Sequence, residues 1–425
     1  MRIVLDMQGA QGSNRFRGIG RYTMSLAQAL IRNAGQHEII LALSGLMPDS
    51  LAPIQGAFAG QLPASNIRVW YAPGPVAEAD PGNSVRRQEA ELIRESFLAG
   101  LQADVIHISS LFEGYHDDCV TSIGRVAQSA AVSVTFYDLI PLLNPAQYFT
   151  AAPRFESHYR RKLAYLQQAD SYLAISEFAC VEALQHLPIE PAAVSNISAA
   201  IDPHFRVLQL TAQDRQSIAQ KYRLTRPFIL YAGGADERKN LPRLIQAYAS
   251  LPPSLRAAQQ LLLVGKLSVA QRDQLKQQAR SVGLQPDELL FGGYVSDADL
   301  VLLYNLCTVF VFPSWHEGFG LPALEAMACG AAVIGANTGS LPEVIALDEA
   351  LFNPMQPGDI AAKIQQCLTD SALLSRLQQH GPQRARLFSW DNTAQRALAA
   401  WEQLTASRLA GPRVPLIDAP RLPAL

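Results

Sequence analysis

Short apolar, β-branched runs alternate with amphipathic stretches along most of this 425-residue chain, in two successive series. Runs this brief and this continuously apolar predict parallel strands buried on both faces and joined by crossover helices. The first series includes Arg2-Ile-Val-Leu5, a helix from Arg21 to Ile31, then Ala103-Asp-Val-Ile-His-Ile108 and Val132-Ser-Val-Thr-Phe136. In the second series, strands are expected at Pro227–Ala232, Gln260–Val264, Leu289–Phe291, Val309–Phe312 and Ala332–Ile334. A chain of this length outgrows one core, so the expected fold class is α/β with two doubly wound, Rossmann-like domains facing a cleft. Pro203 interrupts any regular element within Ile201-Asp-Pro-His-Phe205, which puts the domains at residues 1–205 and 206–387. A helix is expected over 388–407, with Ser389 as its N-cap, followed by a Pro-rich tail over 408–425.

Charge narrows the class of partner. The net charge is -2, with 14 Lys+Arg against 19 Asp+Glu up to Asp202 and 21 against 18 beyond it. Neither half has the strongly basic character of a nucleic-acid binder, so no nucleic-acid partner is expected. The triplet Arg160-Arg161-Lys162 is the best basic cluster of the front half and reads as a solvated helix face. Cys119, Cys180, Cys307, Cys329 and Cys367 have no zinc-site or disulfide spacing and read as buried, reduced thiols. Met1-Arg-Ile-Val-Leu-Asp6 is too short an apolar run for a signal segment, and a cytoplasmic location is expected.

The chemistry concentrates in Val309-Phe-Val-Phe-Pro-Ser-Trp-His-Glu-Gly-Phe-Gly-Leu-Pro-Ala-Leu-Glu-Ala-Met-Ala-Cys-Gly330. A strand ends at Pro313, a loop carries Gly318 and Gly320, and a helix starts near Pro322 and stops at Gly330. Loop glycines let backbone amides approach a ligand, and a helix N-terminus favours phosphate oxygens. Glu317 in the loop and Glu325 one turn into the helix add carboxylates to this anion site. A carboxylate beside a phosphate is useful where it accepts hydroxyls, and sugars supply hydroxyls.

This segment resembles the Glu-x7-Glu motif of family 4 retaining glycosyltransferases, especially bacterial mannosyl- and rhamnosyltransferases of O-antigen and polysaccharide synthesis. The resemblance covers nearly the whole chain and implies the GT-B architecture of two Rossmann-like domains, with a C-terminal helix crossing back to the first. It implies that Glu317 contacts hydroxyls of the transferred sugar, that amides at Phe319, Gly320 and Leu321 hold sugar and phosphate, and that Glu325 binds the nucleotide ribose. His316 adjoins Glu317 and is a further donor-side candidate.

Other segments fit around this centre. In Tyr231-Ala-Gly-Gly-Ala-Asp-Glu-Arg-Lys-Asn240 a strand ends in Gly233 and Gly234 and then presents Arg238 and Lys239, cations unfavourable near a helix start without an anion. By resemblance they neutralise the leaving diphosphate without a metal ion. Phe291-Gly-Gly-Tyr-Val295 resembles the nucleobase-bordering segment, with Tyr294 and Val295 reading the base edge. In the front half, Arg17-Gly-Ile-Gly-Arg-Tyr22 lacks a full dinucleotide signature, and the resemblance gives Gly18, Gly20 and Arg21 a cleft role instead. Tyr137-Asp138 ends a strand on the ligand side; many relatives have histidine where Tyr137 stands, while Asp138 is the front-half acid expected in catalysis. His107, also at a strand end, reads as structural as readily as functional.

The implied activity is a retaining transfer of mannose or a 6-deoxyhexose such as rhamnose, with the leaving phosphate itself taking the acceptor proton. No metal and no resident cofactor are expected: a nucleotide sugar, GDP-linked, is the co-substrate, and a saccharide or lipid-linked saccharide is the acceptor. Peripheral membrane or protein-complex association would bring the enzyme to such an acceptor. Two alternatives stay open at this level, a sugar-nucleotide epimerase on the same fold and a catalytically weak donor-binding subunit.

Overall fold

The computed structural model describes residues 1–16 and 18–410, so Arg17 and most of the expected tail lie outside it. The first sheet has seven strands: β1 (Arg2–Asp6), β2 (Glu38–Ser44), β3 (Ile67–Trp70), β4 (Val105–Ile108), β5 (Ala131–Phe136), β6 (Ser171–Ala174) and β7 (Val194–Asn196). The second has six: β8 (Phe228–Ala232), β9 (Gln260–Val264), β10 (Leu289–Gly293), β11 (Val309–Phe312), β12 (Val333–Ala336) and β13 (Leu351–Phe352). All pairings are parallel, in the orders β3-β2-β1-β4-β5-β6-β7 and β10-β9-β8-β11-β12-β13. The central strands are buried from end to end, as β8, β9 and β11 illustrate, which is why their sequences run apolar without alternation.

Strand order reverses between β1 and β4 in the first sheet and between β8 and β11 in the second. Neighbouring loops diverge to opposite faces at such a switch, opening a crevice beyond the carboxyl ends of the strands. The second crevice lies between the loop after β8, which holds Arg238 and Lys239, and the loop after β11, which holds Glu317.

Helix Trp390–Ala410 returns to the first domain and packs on helix Gly18–Arg32. Ser389 Oγ accepts the Asn392 amide at its start, and Trp401, fully buried in the first core, donates Nε1 to Ser133 Oγ of β5 at 2.9 Å. The five cysteines are free and buried. Among the described residues no helix is long and apolar enough to cross a membrane.

The basic triplet differs from its solvated reading. Only Arg160 is exposed; Arg161 pairs with Glu78 and Glu91, and Lys162 is buried, donating to the Thr121 carbonyl and hydroxyl at 2.5 Å. Burial, followed by the neighbouring Arg161 charge, brings the Lys162 ammonium down to about 7. The triplet reads as solvated because the carboxylates that pair with Arg161 and the Thr121 oxygens that hold Lys162 lie 41 to 83 residues away in sequence.

Candidate active site

At the second switch point Glu317 is only 8% exposed and is gripped from both sides. Lys239 Nζ lies 2.5 Å from Oε1 and Arg238 Nη1 lies 2.8 Å from Oε2. Burial alone would raise this carboxyl, but the two cations overcome it and hold it at about 2. Lys239 in turn is lowered by burial, partly offset by Glu317, and Arg238 is raised by Glu317 against its own burial. The result is a pre-aligned group of charges that needs little reorganisation when a charged ligand arrives. Arg238 also donates to the His316 carbonyl at 2.8 Å, tying the two loops together.

The helix after the loop spans Leu321–Ala328, with Gly320 at its N-cap at φ +100° and no side chain capping it. Its first amides therefore have no side-chain cap, and the glycine supplies a left-handed conformation other residues rarely adopt. Gly318 is also required by its neighbour across the cleft. A Cβ there would lie 2.4 Å from the Tyr137 carbonyl oxygen, so the glycine lets the donor-side loop touch the first domain. Ser176 Oγ of the first domain donates to the Gly318 carbonyl at 2.6 Å, and Phe319 is buried in the first-domain core.

Glu325 lies in a contrasting setting. It accepts from Tyr304 Oη at 3.1 Å and, among the described residues, has no cation bonded to it; burial pushes its carboxyl up to about 7, against that hydrogen bond and the charge of Arg21. Arg21, from the first domain, bonds Asp297 of the second at 2.5 Å on the same side. Tyr294 is 79% exposed and Val295 half-buried beside this pair, at the end of edge strand β10. Gly234 has open space where a side chain would be, while Gly233 is required by the Tyr231 hydroxyl, 2.5 Å from a Cβ built on it. Gly20 is similarly required by the Arg15 carbonyl, and Gly18 faces Leu321 across the cleft.

Two expected residues point elsewhere, and His107, left open between a structural and a functional reading, is structural. The His316 ring, expected on the donor side, turns to the first domain, where Nε2 lies 2.7 Å from Glu182 Oε2 and the ring meets Phe178 edge-on. The Tyr137 hydroxyl donates to the Ser109 carbonyl at 3.1 Å, so it is engaged within its own domain. His107 is buried between Ser133 and Thr135, and burial brings its ring down to about 3, a neutral core residue. Asp138 does face the other domain: its Cβ lies 3.4 Å from a Cβ built on Gly318, and its carboxyl is raised by burial against the Ile140 amide and the Arg238 charge.

Glu182 was not singled out from the sequence. It accepts the Leu139 amide next to Asp138 and holds His316, and so fixes both sides of the cleft at once. Glu343 acts likewise, accepting the amides of Glu177 and Phe178 at the start of a first-domain helix. Asp236 joins Tyr148 at 2.8 Å and Gln147 at 3.3 Å. No local signal marks these side chains, since the partners described lie 43 to 166 residues away.

Two parallel sheets meeting across a cleft, with cations, carboxylates and an open helix start at the second switch point, define a GT-B glycosyltransferase architecture. Residues 213–384 match the family described as Glycosyl transferases group 1, and the chain belongs to it. It is 38% identical over 408 residues to the serotype-specific mannosyltransferase WbdA of Escherichia coli, covering 96% of this chain and 48% of that protein. The chain therefore spans about half the length of the curated relatives it matches first. It is also 30% identical to the O-antigen chain mannosyltransferase B of Escherichia coli, over 64% of this chain and 70% of that one. Among solved structures, the sucrose-phosphate synthase of Thermosynechococcus elongatus has a TM-score of 0.70 at 21% identity, covering 96% of this chain and 100% of that one.

Proposed function

We propose that this chain transfers a hexose, mannose as the leading choice and a 6-deoxyhexose as the next, with retention of anomeric configuration. The donor is a GDP-linked sugar and the acceptor a saccharide or lipid-linked saccharide in cell-surface polysaccharide synthesis. One observation carries the reading: the Glu317 carboxylate fixed between Lys239 and Arg238 beside an uncapped helix start. The mannosyltransferase and O-antigen names of its relatives support the choice of sugar and pathway.

In this reading the donor diphosphate enters against Lys239, Arg238 and the amides of Phe319, Gly320 and Leu321. Glu317 takes hydroxyls of the hexose, Glu325 those of the ribose, and backbone around Tyr294 and Val295 meets the base. The bond from the sugar's first carbon to the leaving phosphate oxygen breaks while a bond to the acceptor oxygen forms on the same face. The acceptor proton passes to that phosphate oxygen, so no side-chain nucleophile and no metal or cofactor takes part. Charge developing on the leaving group is what the paired cations stabilise, in a site where water is largely excluded. Association with a membrane surface or a partner protein supplies the lipid-linked acceptor.

The test is incubation of the protein with GDP-mannose, a GDP-6-deoxyhexose and UDP-sugars, with and without a mannose-terminated acceptor. GDP release coupled to an α-linked product supports the reading. An epimerised nucleotide sugar, or tight binding with no turnover of any donor, overturns it.

A further inference from the structure

We propose that the outer part of the first sheet's carboxyl edge is a second saccharide subsite, which holds a sugar ring of the acceptor chain well behind its growing end. This rests on the transferase reading above and deepens it.

Because the first sheet is parallel, the loops after β1, β2, β3 and β5 all leave from one edge. The reaction side of that edge is Tyr137-Asp138, after β5, where the donor loop touches down. Moving outward through β4 and β1 to β2 crosses three strand spacings, about 14 Å at ~4.8 Å each, a span for linked sugar rings rather than a single one. At the far end the loops after β1 and β2 enclose a cavity of about 360 Å³ whose walls include Arg15, Phe16, Asp49 and Asp117.

The composition of this cavity fits a sugar ring, which has an apolar face of C–H groups and a rim of hydroxyls. Phe16 is 79% exposed, and Tyr71, next after β3, is 68% exposed. Tyr71 is outside the cavity lining; its ring lies over Gly45, where a Cβ would come within 2.3 Å of it, next in sequence to the lining residue Leu46. The Arg15 guanidinium lies 4.9 Å from the centre of the Phe16 ring and covers one face of it. Asp117 accepts the amides of Ser13 at 2.6 Å and Cys119 at 3.2 Å, holding the loop that presents Phe16, while Asp49 is exposed at the rim. Flat aromatic faces suit C–H groups, and carboxylates with a guanidinium suit hydroxyls. The two carboxylates repel a phosphate and leave an apolar peptide poorly matched. A saccharide satisfies every wall.

The experiment compares α-linked mannobiose with mannotetraose as acceptors for the full chain, with GDP-mannose as donor. The subsite predicts that Phe16→Ala lowers the ratio of kcat/KM for tetrasaccharide over disaccharide about tenfold, with Tyr71→Ala giving a smaller change in the same direction. An unchanged ratio in Phe16→Ala overturns the inference even when transfer itself is normal. Should wild type turn over no donor, the transferase reading fails by itself. Calorimetric titration of mannotetraose then decides the subsite: binding weakened in Phe16→Ala supports it, and binding that is absent or identical in both proteins refutes it.

Discussion

Glu317 and Glu325 face one crevice from one strand-loop-helix unit, yet their carboxyls are driven to about 2 and about 7. Burial raises both; the difference is that Glu317 has two cations within 2.8 Å, whereas Glu325 has a phenol at 3.1 Å and the more distant charges of Arg21 and His204. The loop end is thus a finished electrostatic device, its charges already satisfied by one another. The helix end is unfinished, with a carboxyl whose charge is completed by its surroundings. On the proposed function, a site divided in this way holds the reacting centre rigidly at the loop end and responds to the nucleotide at the helix end.

The comparison breaks most easily at the loop end. Glu317→Ala is expected to lower transfer by about 100-fold or more, because it strands two buried cations and removes the sugar contact; steady-state rates with a saturating acceptor check this. Lys239→Ala is expected to cost about 100-fold in kcat and to raise the Glu317 carboxyl, moving the acid limb of the pH-rate profile upward. Structural support comes next. Glu182→Ala removes the bond to His316 and the acceptor for the Leu139 amide, with an expected loss of about 2 kcal/mol, read from the urea midpoint.

The helix end gives a smaller effect with a definite sign. Because the folded carboxyl of Glu325 titrates near 7 against an ordinary 4.5, the folded state holds its proton more tightly, and that stabilisation is lost as pH rises through 7. Glu325→Gln should therefore raise the thermal midpoint at pH 8 and leave it unchanged at pH 4. The wild-type nucleotide affinity is expected to fall on acidification below pH 7, and Glu325→Gln should abolish that fall. Arg21→Ala is the mildest case: the Arg21–Asp297 pair is exposed on both sides, so stability should change by less than about 1 kcal/mol.

The same contrast separates what the sequence made legible from what it hid. The unit from Val309 to Gly330 could be read locally, since strand, glycines, Pro322 and both glutamates fall within one stretch whose spacing fixes their geometry. Arg238 and Lys239 were legible for a similar reason, as adjacent cations just beyond a strand and its glycines, at the start of a helical stretch. Their partner was not, because Glu317 reaches them only through the pairing of β8 with β11. Glu182, Ser176 and Glu343 were invisible since each acts across the domain boundary on a backbone group or a ring that carries no sequence mark. Tyr137 shows the converse: its position at a strand end was readable, but the direction of its hydroxyl depends on Ser109, on a neighbouring strand's loop.

The central claim is that the segment from Glu317 to Glu325 with Arg238 and Lys239 is the nucleotide-sugar site. A crystal structure of the full chain with bound GDP tests it most directly. The account predicts the diphosphate within hydrogen-bond distance of Lys239 Nζ and the amides of Gly320 and Leu321, with the ribose hydroxyls on Glu325. A nucleotide bound elsewhere, with Lys239 and Arg238 still closed on Glu317 alone, would contradict it.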